Sequence, residues 1–230
     1  MPAAAPKMPK RPSDAETFRP AEGAVLNIPE EPNPPSMKDE VAAFKRERIL
    51  SAAIDLFYER GYDNTTLEAV AESLGVTKPF IYAHFASKAE LLAEICSRGI
   101  RFSLQSLRDA LELNASPTET LRVMSESFVV SVLENQKAIA LFTREEKSLA
   151  PADFKRIADM RREFDKSLRA VLEAGQASGE FRIGDAAVTA FSISGLVSWT
   201  YVWYRPNGRM SIRRLSLEIT RLIMAMVGRT

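Results

Sequence analysis

Apolar positions along this chain recur at steps of three and four, and nowhere does strict alternation run long enough to predict a sheet. The clearest stretch is residues 65–88. Leu67, Val70, Ala71 and Leu74 form the inner stripe of a short helix, with Thr65 and Glu68 spaced as its capping box. Gly75 supplies the C-terminal turn, and Val76 plugs the angle between helices. Thr77 restarts the chain with Pro79 in the first turn, where a missing N–H costs nothing. Ile81 and Phe85, four apart, pack a second short helix onto the first and leave Thr77, Lys78, Phe80, Tyr82 and His84 less buried. This is the grammar of a helix-turn-helix.

Beyond Lys88 the pattern stays helical. Ser87 and Glu90 cap a long helix running to about Leu113, which spans roughly 40 Å at about 1.5 Å per residue and joins two parts of the chain. Ser116, Pro117 and Glu119 open a helix carrying Leu121, Met124 and Phe128, and a further helix follows Gln136. Pro151 begins another that ends near Gly175 to Gly179. Asp185 caps one that continues to about Tyr204, before Pro206, Asn207 and Gly208 break it, and Ser211 starts the last. The predicted fold is all-α.

Composition changes the picture at the N-terminus. Nine of the 13 prolines fall in the first 36 residues among charges, which reads as a disordered arm with Lys7, Lys10 and Arg11 as a basic tip. The remainder divides into residues 37–90, which hold the helix-turn-helix, and residues 91–230, a larger helical domain. Lys+Arg (31) and Asp+Glu (30) nearly cancel, so net charge does not announce a nucleic-acid partner. The one cysteine, Cys96, excludes an intramolecular disulfide and a cysteine-based zinc cluster, and reads as helix packing with a redox switch as the alternative. The one histidine, His84, leaves no second for a hydrolytic relay. No metal-ligand pair, phosphate-binding glycine loop or nucleophile elbow occurs, so the chain is expected to have no catalytic residues, no metal and no cofactor. No run of about 18 apolar residues and no signal-peptide core is seen, which predicts a cytoplasmic protein without a membrane partner.

In a helix-turn-helix the second helix offers side chains to base edges while flanking hydroxyls and cations grip phosphates. Lys78 suits either task, Tyr82 and His84 reach the backbone, and a Thr65 or Thr66 hydroxyl at a helix N-terminus forms a phosphate seat. The run KRERILSAAIDLFYERGYDNTT followed by LEAVAESLGVTKPFIYAHFASKAELL resembles the DNA-binding domain of the TetR family of transcriptional repressors. The resemblance covers about residues 44–104, most specifically Phe57, Gly61, Tyr62, Thr65 and Thr66, then Leu74 to Lys88. It implies that Thr77, Lys78, Phe80 and Tyr82 lie at the groove while Thr66, His84 and Lys88 meet phosphate. The full DNA-binding set is then Thr65, Thr66, Thr77, Lys78, Pro79, Phe80, Tyr82, His84 and Lys88. Phe80 departs from the small or hydroxylated residue often found there and suits apolar contact with a thymine methyl.

The last helix carries Ile212, Leu215, Ile219, Leu222 and Met226 as a narrow seam, and the helix before it mixes Ser192, Ser194, Gly195 and Ser198 with larger apolar groups. The resemblance implies a homodimer through these two helices, and two recognition helices about 34 Å apart read a palindromic operator. Packing within one subunit is the other reading of the seam. Phe102, Phe128, Phe142, Trp199 and Trp203, with Arg162 for an anionic group, are candidates for an effector pocket. Trp203 to Gly208 resembles the W-Y-R-P-x-G element of a TetR subgroup tied to lipid catabolism, some of whose members respond to acyl-CoA thioesters. The element equally serves to fix the turn before the final helix, with Arg205 capping carbonyls. The expected function is ligand-released repression on double-stranded operator DNA. The alternative is a helical ligand-binding or scaffold protein without sequence-specific DNA binding.

Overall fold

A computed structural model describes residues 36–228, so the arm expected over residues 1–36 lies outside the described chain except for Ser36. Ten α-helices follow one another among the described residues: α1 (Met37–Arg60), α2 (Leu67–Leu74), α3 (Lys78–Tyr82), α4 (Lys88–Glu112), α5 (Pro117–Glu134), α6 (Gln136–Glu145), α7 (Pro151–Ser178), α8 (Ala186–Ser198), α9 (Thr200–Trp203) and α10 (Ile212–Met226). A short 3₁₀ turn, Glu146–Ser148, links α6 to α7, and no strand occurs among the described residues.

The helix starts are set by side-chain oxygens that take up orphan amides of the first turn. Ser87 accepts from the Glu90 amide at 3.0 Å, and the Glu90 carboxylate accepts from the Ala86 amide at 2.7 Å. Ser116, Asp185 and Ser211 do the same for α5, α8 and α10. The α2 start differs from expectation. Thr66, not Thr65, is its N-cap and accepts from the Ala69 amide at 3.2 Å, whereas Thr65 is buried and donates to the Gly61 carbonyl at 2.9 Å. The helix expected from Asp185 to about Tyr204 is interrupted at Trp199. The buried Thr200 hydroxyl donates to the Val197 carbonyl at 2.7 Å, a local bond that competes with the helical ladder.

Gly75 ends α2 in the left-handed region at φ +65°, and its amide reaches the Glu72 carbonyl at 3.0 Å. That sharp stop turns α3 back across α2. Ile81 and Phe85 are then fully buried with Ile49, Phe57 and Val70 in a first core that also takes Leu91, Leu92 and Ile95 from α4 and Leu141 and Phe142 from α6. A second core packs Leu104 and Leu107 of α4 with Met124 and Phe128 of α5, Phe164 and Leu168 of α7, Ile193 of α8 and Ile219 of α10. Phe128 and Phe164 sit with ring centres 4.6 Å apart.

Ala186–Trp203 is apolar on average over 18 residues, but Thr189, Ser192, Ser194, Ser198 and Thr200 interleave it and the helix breaks at Trp199. Its large apolar groups Val188, Phe191, Trp199 and Trp203 are exposed, while Ile193 and Val197 enter the second core. The segment is thus apolar on two faces, one of them unpartnered in the isolated chain.

Two consequences are measurable. A β-carbon at Gly175 would sit 2.0 Å from the buried Phe181 ring, so Gly175→Ala is expected to lower stability by about 1–3 kcal/mol in thermal unfolding. An unchanged melting temperature would contradict that packing. Burial pushes the Cys96 thiol up to about 12, so it is expected to resist iodoacetamide at pH 8 until the protein is unfolded. Rapid alkylation of the native protein would contradict it.

Candidate nucleic-acid interface and ligand cavities

Helix α3 is only five residues long, so its placement depends on what holds it from behind. The Arg46 guanidinium, on α1, donates to the His84 carbonyl and lies 4.0 Å from the centre of the Phe85 ring. The Lys88 ammonium donates to the carbonyls of Tyr62 at 2.7 Å and Thr65 at 2.9 Å and covers the Tyr62 ring at 4.2 Å. Lys88, expected at phosphate, instead ties the α1–α2 loop to the start of α4. Thr65 faces inward for the reason given above and leaves Thr66, which is exposed, at the helix N-terminus.

The outward side of α3 carries Thr77, Lys78, Pro79 and Tyr82, all exposed. The Thr77 hydroxyl makes no capping bond. The Lys78 ammonium pairs with the Glu68 carboxylate on α2 and lies 5.6 Å from the centre of the Tyr82 ring. That hydrogen bond is the main cause holding Glu68 below, and Lys78 above, their ordinary values. Phe80 is half-buried against the first core, edge-on to the half-buried His84 ring at 5.3 Å, with the Lys45 ammonium 5.8 Å from its centre. Lys45 and Arg46 lie outside the set that sequence reasoning picks out. Arg46, Ile49 and Ala53 share one face of α1, which marks Arg46 as a rim residue, but its partners on the α3–α4 turn are invisible to local spacing.

The six candidate effector residues do not meet in one cavity. Phe128 is inside the second core, and Phe142 is inside the first with the Arg161 guanidinium 4.2 Å from its ring. Arg162 pairs with Asp159 on the surface, and Trp199 and Trp203 are exposed. Phe102 lines a cavity of about 720 Å³ between α4, α5 and α10, whose wall mixes Val130 and Ile212 with Ser131, Arg98, Arg213, Glu126 and Glu134. The Ser131 hydroxyl there is buried without a hydrogen-bond partner.

The predicted seam on α10 likewise divides. Leu215 and Ile219 turn into their own subunit's core with Ile223, Ile212 is half-buried, and Leu222 and Met226 are exposed. The helix is apolar on two sides, and step counting alone merged them. The W-Y-R-P-x-G element forms a turn: Arg205 donates to the Val202 and Tyr204 carbonyls, and the Gly208 amide donates to the Arg205 carbonyl at 2.8 Å. Gln136 of α6 donates to the Tyr201 and Tyr204 carbonyls at 2.6 and 3.0 Å, fixing that turn against the body of the chain.

Between the two cores, Arg98 of α4 meets the Glu47 carboxylate of α1 through two bonds of 2.8 and 2.7 Å and donates to Asn135 at the α5–α6 joint at 2.9 Å. Its hydrogen bonds hold the Glu47 carboxyl below the usual carboxylate range. Lys137 of α6 pairs with Asp55 of α1.

The arrangement has known relatives. Residues 49–95 match the family model described as "Bacterial regulatory proteins, tetR family", and residues 114–227 match "Tetracyclin repressor-like, C-terminal domain". The transcriptional repressor KstR2 of Rhodococcus jostii strain RHA1 is 25% identical over 193 residues, 83% of this chain and 95% of that protein. The crystal structure of PfmR, a TetR family transcriptional regulator from Thermus thermophilus, is 32% identical and superposes with a TM-score of 0.71 over 79% of this chain and all of that one. AibR in complex with isovaleryl coenzyme A and operator DNA shares the fold with a TM-score of 0.67 over 81% of this chain and all of that one, at 24% identity. These relatives are regulators rather than enzymes.

The Lys88 clamp generates a prediction. Lys88→Met removes donors from carbonyls that no other side chain satisfies among the described residues, and is expected to cost about 1–3 kcal/mol in urea unfolding. Equal stability of the variant would show that the ammonium is not holding the loop.

Proposed function

We propose that this chain, which belongs to the TetR family of bacterial regulatory proteins, represses transcription as a homodimer on a palindromic operator and lets go when a small apolar or acyl-CoA-type effector occupies its C-terminal helices. The observation that carries this reading is the outward face of α3, where Thr77, Lys78, Pro79 and Tyr82 stand exposed on a helix anchored from behind by Ile81, Phe85 and Arg46. In this reading Thr66 and His84 meet phosphate, and Phe80 offers only its edge to a base, since its body is packed inward.

A single short helix binds weakly, and a second copy supplies the other half-site. The exposed apolar groups Val188 and Phe191 of α8, Trp199 at its end and Val202 of α9, with Leu222 and Met226 of α10, are the surface we assign to that second copy. Gly195 and Ser192 on the exposed side of α8 let helix axes approach closely. Trp199 moves with this assignment from the effector set to the dimer set.

Support for a lipid-like effector comes from the relatives. The resemblance to KstR2 spans most of both chains, a KstR2 structure is described as a ketosteroid transcriptional regulator, and AibR holds isovaleryl coenzyme A. In this chain the cavity lined by Phe102, Val130, Ser131 and Ile212 is the place for the apolar part, with the unpartnered Ser131 hydroxyl as its polar anchor. A ligand favouring the released spacing of the recognition helices by roughly 3 kcal/mol weakens operator binding about a hundredfold, and operator weakens ligand binding equally.

Fluorescence anisotropy against DNA from upstream of the chain's own gene, with excess competitor, tests the reading. Selective binding is expected, reversed by an acyl-CoA thioester from a panel of different chain lengths. Tyr82→Ala should weaken it by about tenfold or more while leaving the dimer intact, and undiminished affinity would remove α3 from the groove. Phe191→Glu should give a folded monomer in sedimentation, and a persistent dimer would move the interface elsewhere.

A further inference from the structure

A second depression, of about 600 Å³, lies where α1, α6 and α9 meet, and it differs in charge from the cavity beside Phe102, which Glu126 and Glu134 line. Its walls present Lys137, Arg144 and Arg205 with Tyr58 and Tyr201, and no carboxylate lines it. The Arg144 guanidinium lies 4.8 Å from the centre of the Tyr58 ring, and the Lys137 ammonium 5.7 Å from the same ring. Lys137 is paired with Asp55, whereas neither Arg144 nor Arg205 has a carboxylate partner among the described residues. Tyr58 is exposed although it stands on the helix that builds the first core. Gln136 ties this wall to α6 by donating to the Tyr201 and Tyr204 carbonyls, and the Tyr201 hydroxyl meets Thr143 at 3.3 Å.

We infer that this groove binds the phosphorylated nucleoside portion of a ligand, its phosphates on Arg144, Arg205 and Lys137 and its planar base against Tyr58. Guanidinium groups suit phosphate because their donors match its oxygens in pairs, and an exposed tyrosine face carrying cations suits a base. A volume of about 600 Å³ is within the range of small-molecule sites, roughly 300–1,000 Å³. A third, smaller depression of about 300 Å³ shares Arg98, Glu134 and Asn135 with the cavity beside Phe102 and Gln136, Lys137 and Pro206 with the basic groove. The three lie in a row along the α5–α6 joint: the first mixes Phe102, Val130 and Ile212 with serines, Glu126, Glu134 and Arg213, the middle one holds Glu47 and Asp55, and the far one is basic. Glu47–Arg98 and Asp55–Lys137, which join α1 to α4 and α6, lie along that row. A phosphate on Lys137 competes with Asp55, so occupancy of the basic end acts directly on the seating of α1.

The regulatory consequence rests on the reading of an effector-controlled repressor, but binding is measured without DNA, so its failure leaves operator recognition standing. Isothermal titration of the full chain with adenosine 3′,5′-bisphosphate, adenosine alone and inorganic pyrophosphate tests the site. Saturable binding of the bisphosphate is expected, weakened about tenfold or more by Arg144→Ala and by Tyr58→Leu, with adenosine and pyrophosphate each binding less tightly. Both side chains are exposed, and circular dichroism verifies that each variant is folded. Absence of saturable binding, or equal binding by wild type and both variants, would overturn the proposal. Pyrophosphate binding as tightly as the bisphosphate would overturn the nucleoside assignment. Loss of affinity for a non-operator duplex in Arg144→Ala, with bisphosphate binding retained, would make the groove a DNA contact and overturn it too.

Discussion

Helix α4 is buried at both ends in different cores, and the rest of the molecule is arranged around that fact. Leu91, Leu92 and Ile95 pack with the helix-turn-helix, while Leu104, Leu107 and Ala110 pack with α5 and α7. A continuous helix held by close-packed side chains at each end transmits a tilt rather than absorbing it. The N-terminal end of α4 also carries the ammonium that holds the α1–α2 loop, so the seat of α2 moves with the rod. In the proposed regulation, a change in how the C-terminal helices grip α4 reaches α3 through this rod and the loop that Lys88 holds.

What opposes such a change is modest. The ion pairs that tie α1 to Arg98 and to α6 are Glu47–Arg98 and Asp55–Lys137, each with at least one partner about half exposed. Exposed ion pairs contribute about 0–1 kcal/mol each, the same order as the roughly 1–3 kcal/mol of coupling by which an effector acts. The apolar tie is stronger, because Ala138, Leu141 and Phe142 of α6 belong to the core that α1 and α4 share. A ligand in the proposed trough along the α5–α6 joint would meet ties weak enough to shift, while the shared core holds α1, α4 and α6 together.

Helix ends were legible in the sequence because caps are local. Ser87, Ser116, Pro151, Asp185 and Ser211 each mark a start within a residue or so of the observed one. The helix-turn-helix was legible for the same reason, through Gly75 and the Leu67–Leu74 stripe. Side-chain fates set by distant partners were not. Thr65 and Thr66 are neighbours of one type, and the Leu56 and Gly61 carbonyls at the end of α1, which take the Thr65 hydroxyl, decide which of them caps. Lys88 looks like any surface cation until the loop some 25 residues earlier offers it carbonyls. On α10 a run of apolar steps hides two faces, Leu215 and Ile219 inward and Leu222 and Met226 outward, because periodicity reports amphipathicity but not which side meets which neighbour. The aromatics of the C-terminal helices were grouped by type, and the fold distributes them among two cores, a cavity rim and an open face.

In the proposed repression, two copies of α3 are presented together to one stretch of duplex. Hydroxyl-radical footprinting of the purified protein across the region upstream of its own gene is the decisive experiment. Two protected half-sites of inverted sequence, their centres about 34 Å or one helical turn apart or a multiple of it, are predicted. Uniform weak protection along the duplex, or none at any upstream sequence, would contradict it.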